Sequence, residues 1–178
     1  TTSVTAAGTL GVTAGAALEI VATPLSGAGI TLTGATGLLI DAGSSTSSGG
    51  FTATATAGAA TLQSTNISAT NALAITAGGA LASDATTLSG NGINLTGGTS
   101  FALTGGGVTS GGVFTAEATT GAARLERTSV AATATLGVTA GAGLEIVMTT
   151  LSGNGVTLTG ATSFVLNGGG VTSTGAFA

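Results

Sequence analysis

No cysteine occurs in the chain, so neither a disulfide framework nor a thiolate metal site is available, and thiol chemistry gives no reading of the redox compartment. Histidine, lysine, tryptophan and tyrosine are also missing, so neither His nor Lys can serve as a catalytic base. The two basic residues, Arg124 and Arg127, against six acidic ones leave a net charge of -4. That balance excludes a basic patch for nucleic acid or anionic lipid. No apolar run is long enough to span a bilayer, so no membrane insertion is expected, and Thr1 onward carries no signal-peptide pattern.

Glycine, threonine, alanine and serine fill the space left by the missing types. A composition so simple suggests disorder, but disordered chains are poor in apolar residues, and this one is 43% apolar with Leu, Ile, Val and Phe at regular positions. An ordered repeat fits better. Setting residue 2 against 65 and 128 gives three readings of one 63-residue unit (2–64, 65–127 and 128–178) without insertion or deletion, forming a single solenoid domain over 1–178.

A smaller step lies inside the unit. Apolar anchors at Val4, Leu25, Ile67, Leu88, Val130 and Leu151, with Thr46, Thr109 and Thr172 in the third slot, set a step of 21 residues. Within a step, alternation of apolar and small polar residues recurs in two bursts, as in Ile30-Thr31-Leu32-Thr33 and Leu38-Leu39-Ile40, and period two is the mark of a strand. The anchor adds a third, shorter strand. Three strands and three glycine-containing corners predict one coil of an all-β parallel β-helix, with about eight coils rising roughly 4.8 Å each into a rod of about 40 Å. Right-handed winding is the expectation for parallel crossovers. Burial within one coil does not cover the cost of ordering it, so coils must stabilise one another, and both ends are expected to need a neighbour.

Two interior columns support this alignment. One runs Leu10, Ile30, Phe51, Leu73, Ile93, Phe114, Leu136, Val156, Phe177; wherever it has Phe, the position two residues on is Ala, at Ala53 and Ala116. Large against small conserves volume, as a close-packed interior requires. The other wall behaves alike, Leu38 and Phe101 being followed one coil later by Ala60 and Ala123.

Function then has to sit on the outward positions. One outward column is Thr13, Thr33, Thr54, Thr76, Thr96, Glu117, Thr139, Thr159, beside a second containing Thr31, Thr52, Thr115 and Thr157. Paired threonine rows suit an ice-binding face, although Thr is also a favoured strand residue whose stacking supports a sheet. A further column, Glu19, Leu39, Thr61, Ala82, Ala102, Arg124, Glu145, Val165, predicts an Arg124–Glu145 surface ion pair and an apolar stripe suited to lateral packing or a partner. Arg124 and Glu145 as a catalytic acid and base have little support, with no His or Lys and no second carboxylate pair nearby.

Asp41 and Asp84 stand alone rather than in the acidic nonapeptides of calcium-binding solenoids. Gly105-Gly106-Gly107 and Gly168-Gly169-Gly170 lack the context of a phosphate loop and read as corners needing positive φ. Asn91 and Asn154, each between two glycines, suit turn hydrogen bonds, although Ala28 takes the same place in the first unit. Asn66-Ile67-Ser68 and Asn94-Leu95-Thr96 match the glycosylation triplet by chance in so Thr-rich a chain. No catalytic, cofactor-binding, metal-binding or nucleic-acid-binding residue is assigned.

The coils LSGNGVTLTGATSFVLNGGGVTSTG and SVAATATLGVTAGAGLEI resemble the repeats of filamentous-haemagglutinin-like exoproteins of bacterial two-partner secretion. The resemblance implies a right-handed β-helix, an extracellular or cell-surface place, and a part in an adhesin or fibre. The expectation is a non-enzymatic structural segment serving adhesion, biofilm or matrix, with copies of itself as partners by stacking or bundling and a surface or polysaccharide ligand. The alternatives are an ice-binding solenoid and a polysaccharide-binding or -cleaving β-helix.

Overall fold

The computed structural model describes residues 2–178. Short strands follow one another around a triangular path, and no helix occurs among the described residues. Each strand pairs in parallel with the same strand one coil away, so the chain forms the β-solenoid that the period-two bursts imply. Backbone hydrogen bonds therefore run along the rod, and each coil is held by those above and below it.

Three walls result. The first is built from short strands beginning at Val4–Thr5 and Leu25–Gly27, the second from strands beginning at Thr9–Ala14 and Gly29–Gly34, and the third from strands beginning at Ala17–Val21 and Gly37–Asp41. The long strands Gly143–Gly153 and Ser163–Ser173 pass through the corner between the third and first walls, joining them in one sheet of 15 strands, while the second wall stays separate with 8.

The step is not uniformly 21 residues. Val4 pairs with Leu25, Leu25 with Ser45, and Ser45 with Ile67, giving steps of 21, 20 and 22 residues, and the same rhythm returns through Leu88, Val108 and Val130. The third-slot anchors are therefore Ser45, Val108 and Val171; Thr46, Thr109 and Thr172 point outward one place later. An even division of 63 by three conceals this, because two one-residue changes cancel within each unit. The corner between the first and second walls is a residue shorter at Gly27-Ala28-Gly29, Gly90-Asn91-Gly92 and Gly153-Asn154-Gly155. The corner between the second and third walls is a residue longer after Ala55 and Ala118. The remaining corner never changes length.

That invariant corner has one backbone solution. Ala22, Ala42, Ser64, Ala85, Arg127 and Met148 all have φ between 47° and 51°, and Gly105 and Gly168 take the same place at 63° and 70°. The left-handed conformation is held because each amide there continues the ladder, as in Ala42 N–H to Gln63 O (3.0 Å) and Ala85 N–H to Thr104 O (2.8 Å). The next position turns inward. It carries buried threonines whose hydroxyls donate to backbone carbonyls, Thr65 to Gly43 (2.8 Å), Thr86 to Asp84 (3.0 Å) and Thr149 to Val147 (3.0 Å). At Gly106 and Gly169 in this column a Cβ would overlap the carbonyl of Thr86 or Thr149, so the threonine row breaks there. Of the two glycine triplets, Gly105, Gly106, Gly168 and Gly169 have positive φ, whereas Gly107 and Gly170 are strand residues.

The interior columns are as the alternation predicts. Phe51 stacks between Ile30 and Leu73, with Ala53 between Leu32 and Ile75, and Phe51 and Ala53 are fully buried. Phe114 and Ala116 repeat the arrangement. Ser83 interrupts the column otherwise made by Leu62 and Leu103, and its hydroxyl is the one buried side-chain polar atom without a partner among the described residues. The same coil carries Ile67 and Ile75 where the other units have Val4, Val12, Val130 and Val138, so two added methyl groups offset part of the volume lost from Ile to Ser.

Candidate functional site: the outward walls

Outward side chains on the second wall stand in register along the rod. Thr13 pairs with Thr33, Thr33 with Thr54, Thr54 with Thr76 and Thr76 with Thr96; Glu117 interrupts the row before Thr139 and Thr159. The neighbouring row has Thr31, Thr52, Thr115 and Thr157, but Gly11, Ala74, Asn94 and Gly137 hold the other places. Strand geometry puts hydroxyls about 4.8 Å apart along a row and about 7 Å apart across the two rows. The Thr96 hydroxyl donates to Asn94 Oδ1 at 3.3 Å, so part of the row is satisfied within its own strand.

On the third wall the expected ion pair is present and belongs to a larger group. Arg124 Nη1 donates to Glu145 Oε2 at 2.7 Å across adjacent coils, and Nη2 and Nε donate to Glu126 Oε2 at 2.9 and 3.2 Å. Arg127 reaches the other Glu126 oxygen at 3.3 Å. A further carboxylate, Glu126, therefore stands beside Arg124 and extends the expected pair. It could have been found from period two, since Arg124 and Glu126 lie two apart on one strand and so share its outer face. The group gathers both cations and two anions into a neutral patch. With Arg124 and Glu145 both about half exposed, its worth to stability is about 0–1 kcal/mol.

The remaining singled-out residues stay apart. Asp41 and Asp84 lie in one outward column with Gln63 between them, about 10 Å apart, so their carboxylates do not converge. Asn154 Oδ1 accepts from the Thr174 hydroxyl at 3.3 Å, linking successive coils at the short corner. In the triplets Asn66-Ile67-Ser68 and Asn94-Leu95-Thr96 the central side chain is buried, and each triplet is fixed in a strand.

The second and third walls carry shallow grooves. One of about 350 Å³ lies beside Arg124, Glu145 and Val165, and one of about 330 Å³ crosses the second wall at Ala74, Asn94 and Thr115. Both are furrows between neighbouring coils where small side chains leave the wall low. No protein-family model, curated protein or solved structure matches the chain.

Proposed function

We propose that the chain is a structural segment of a secreted or cell-surface β-solenoid fibre, a rod that carries or spaces adhesive or matrix-forming parts and performs no catalysis. The observation that carries this reading is the regularity of the stack. Across eight coils the corners vary by one residue only, and none is extended into a loop. Solenoids that bind or act through grafted elements place insertions on one face, and here the rise of the rod is the one property every coil serves.

Three further features support it. Charge is scarce, so rods repel one another weakly. The interior columns run in register from coil to coil, which suits a rod built by stacking. The resemblance of the coils to those of filamentous-haemagglutinin-like exoproteins points the same way. The test is immunogold electron microscopy on intact cells with antibodies to the coils. Label along extended surface fibres is expected, and label confined to the cell interior would overturn the proposal.

The threonine rows of the second wall favour a second reading, an ice-binding face. Thermal hysteresis in the wild type that disappears when Thr33 and Thr54 are replaced by bulky residues would select it. Absence of ice shaping in the wild type would end it.

A further inference from the structure

We propose that the outer face of the third wall is a self-association surface, on which a second copy docks with its rod antiparallel and in one defined register. The proposal rests on the rod reading above and adds the partner, its orientation and its offset. Its basis is the placement of charge along the rod. Numbering the coils from the one that begins at Val4, the central outward column carries Glu19 in coil 1, Leu39, Thr61, Ala82 and Ala102 in coils 2 to 5, and Arg124 in coil 6.

A two-fold axis parallel to the strands, passing between coils 3 and 4, sets coil 1 against coil 6, 2 against 5 and 3 against 4. Glu19 then meets Arg124 of the other copy at both ends of the contact. Arg124 remains half exposed although it binds Glu126 and Glu145, so its guanidinium is open to a third carboxylate. In the adjoining column Asp41 meets Thr104 and Asp84 meets Gln63, with no like charges opposed. The column on the other side has only alanine, glycine and serine across these coils, so two walls can approach closely.

An axis between coils 6 and 7 also opposes Arg124 to Glu145 but keeps only coils 5 to 8 in contact, and no other antiparallel register with six or more coils in contact opposes unlike charges. Moving the axis half a coil toward coil 4 opposes Glu19 to Glu145 and Asp41 to Glu126, and half a coil toward coil 3 sets Glu19 against Ala102 and Asp41 against Asp84. Placing rods parallel opposes Glu19 to Glu19 and Arg124 to Arg124. Such juxtapositions act against the wrong arrangement as strongly as the paired one favours its own. Six coils of five-residue strands cover about 500 Å² on each partner, a total of about 1,000 Å², at the low end for a specific interface. A reversible dimer is the result that area supports.

The absence of native cysteine makes the test direct. In the full chain, Ala82→Cys places thiols near the axis, whereas Val165→Cys in coil 8 places them about 43 Å apart along the rods. A short bis-maleimide is expected to cross-link Ala82→Cys at least fivefold more than Val165→Cys. Sedimentation should show Glu19→Arg weakening the dimer at least tenfold. Equal cross-linking at the two sites, or a wild type that sediments as a monomer at every concentration tested, would overturn the proposal. Small-angle scattering on the Glu19→Arg variant separates the two ideas: a monomer that keeps the rod length leaves the rod reading intact, and loss of that length refutes the rod.

Discussion

Replacing Ala85 by glycine should stabilise the protein, although alanine-to-glycine changes in ordered structure usually do the reverse. Ala85 has φ of 49°, a left-handed conformation that costs an L-residue about 1–2 kcal/mol. Glycine removes that cost but adds freedom to the unfolded chain worth about 0.4–1 kcal/mol. The net gain is about 0.5–1 kcal/mol. For a chain of this size that moves the melting temperature upward by about 1–4 °C. Ala42 occupies the same corner two coils away, with φ of 51°, about 10 Å along the rod. At that distance the effects should add, so the double variant should gain about 2–8 °C. The control is Ala74→Gly in the strand Leu73–Ala77, where backbone freedom is lost without relief of strain and stability should fall by about 0.5–1 kcal/mol. Calorimetry and urea denaturation of the three variants read the signs. If Ala85→Gly and Ala74→Gly destabilise equally, the corner is not under the strain its φ implies.

Three further outcomes follow from the core and corners. Ser83→Ala should raise stability by about 1 kcal/mol in urea denaturation, because it removes a buried hydroxyl with no partner. Phe114→Leu should cost about 1–2 kcal/mol and adding Ala116→Val should recover at least half, since Leu136 and Val138 already form that combination one coil on; a double variant no better than the single would show that the two columns do not share volume. Gly106→Ala should lose about 2 kcal/mol or more, because φ is 68° and the new methyl group would collide with the Thr86 carbonyl, and its melting temperature should fall accordingly.

Much of this fold is legible in the sequence because its physics is local and repeated. Period-two alternation marks the strands, and large-for-small exchange at Phe51-Ala53 and Phe114-Ala116 fixes which strands stack. The unequal steps are hidden because each corner change is one residue and its opposite follows within the unit, so the columns from Leu10 onward align while an even step puts the anchor at Thr46 in place of Ser45. The left-handed corner was hidden for another reason. Alanine, serine, arginine and methionine there give no sign of positive φ, which the neighbouring amides impose through the ladder, and only Gly105 and Gly168 announce it. On the surface, the Arg124–Glu145 pair follows from the column alignment, whereas Glu126 and Arg127 required the two-residue period within the strand and the turn of the corner to be combined.

A β-solenoid rises by a fixed step with each coil, and spin-label distances measure that rise. Cysteine pairs on the outward threonine row, Thr33 with Thr139 and Thr33 with Thr159, place labels five and six coils apart. Pulsed electron resonance should give distances near 24 and 29 Å, differing by one coil of about 4.8 Å, with narrow distributions. Distances that do not grow with coil number, or distributions too broad to separate the two pairs, would contradict it.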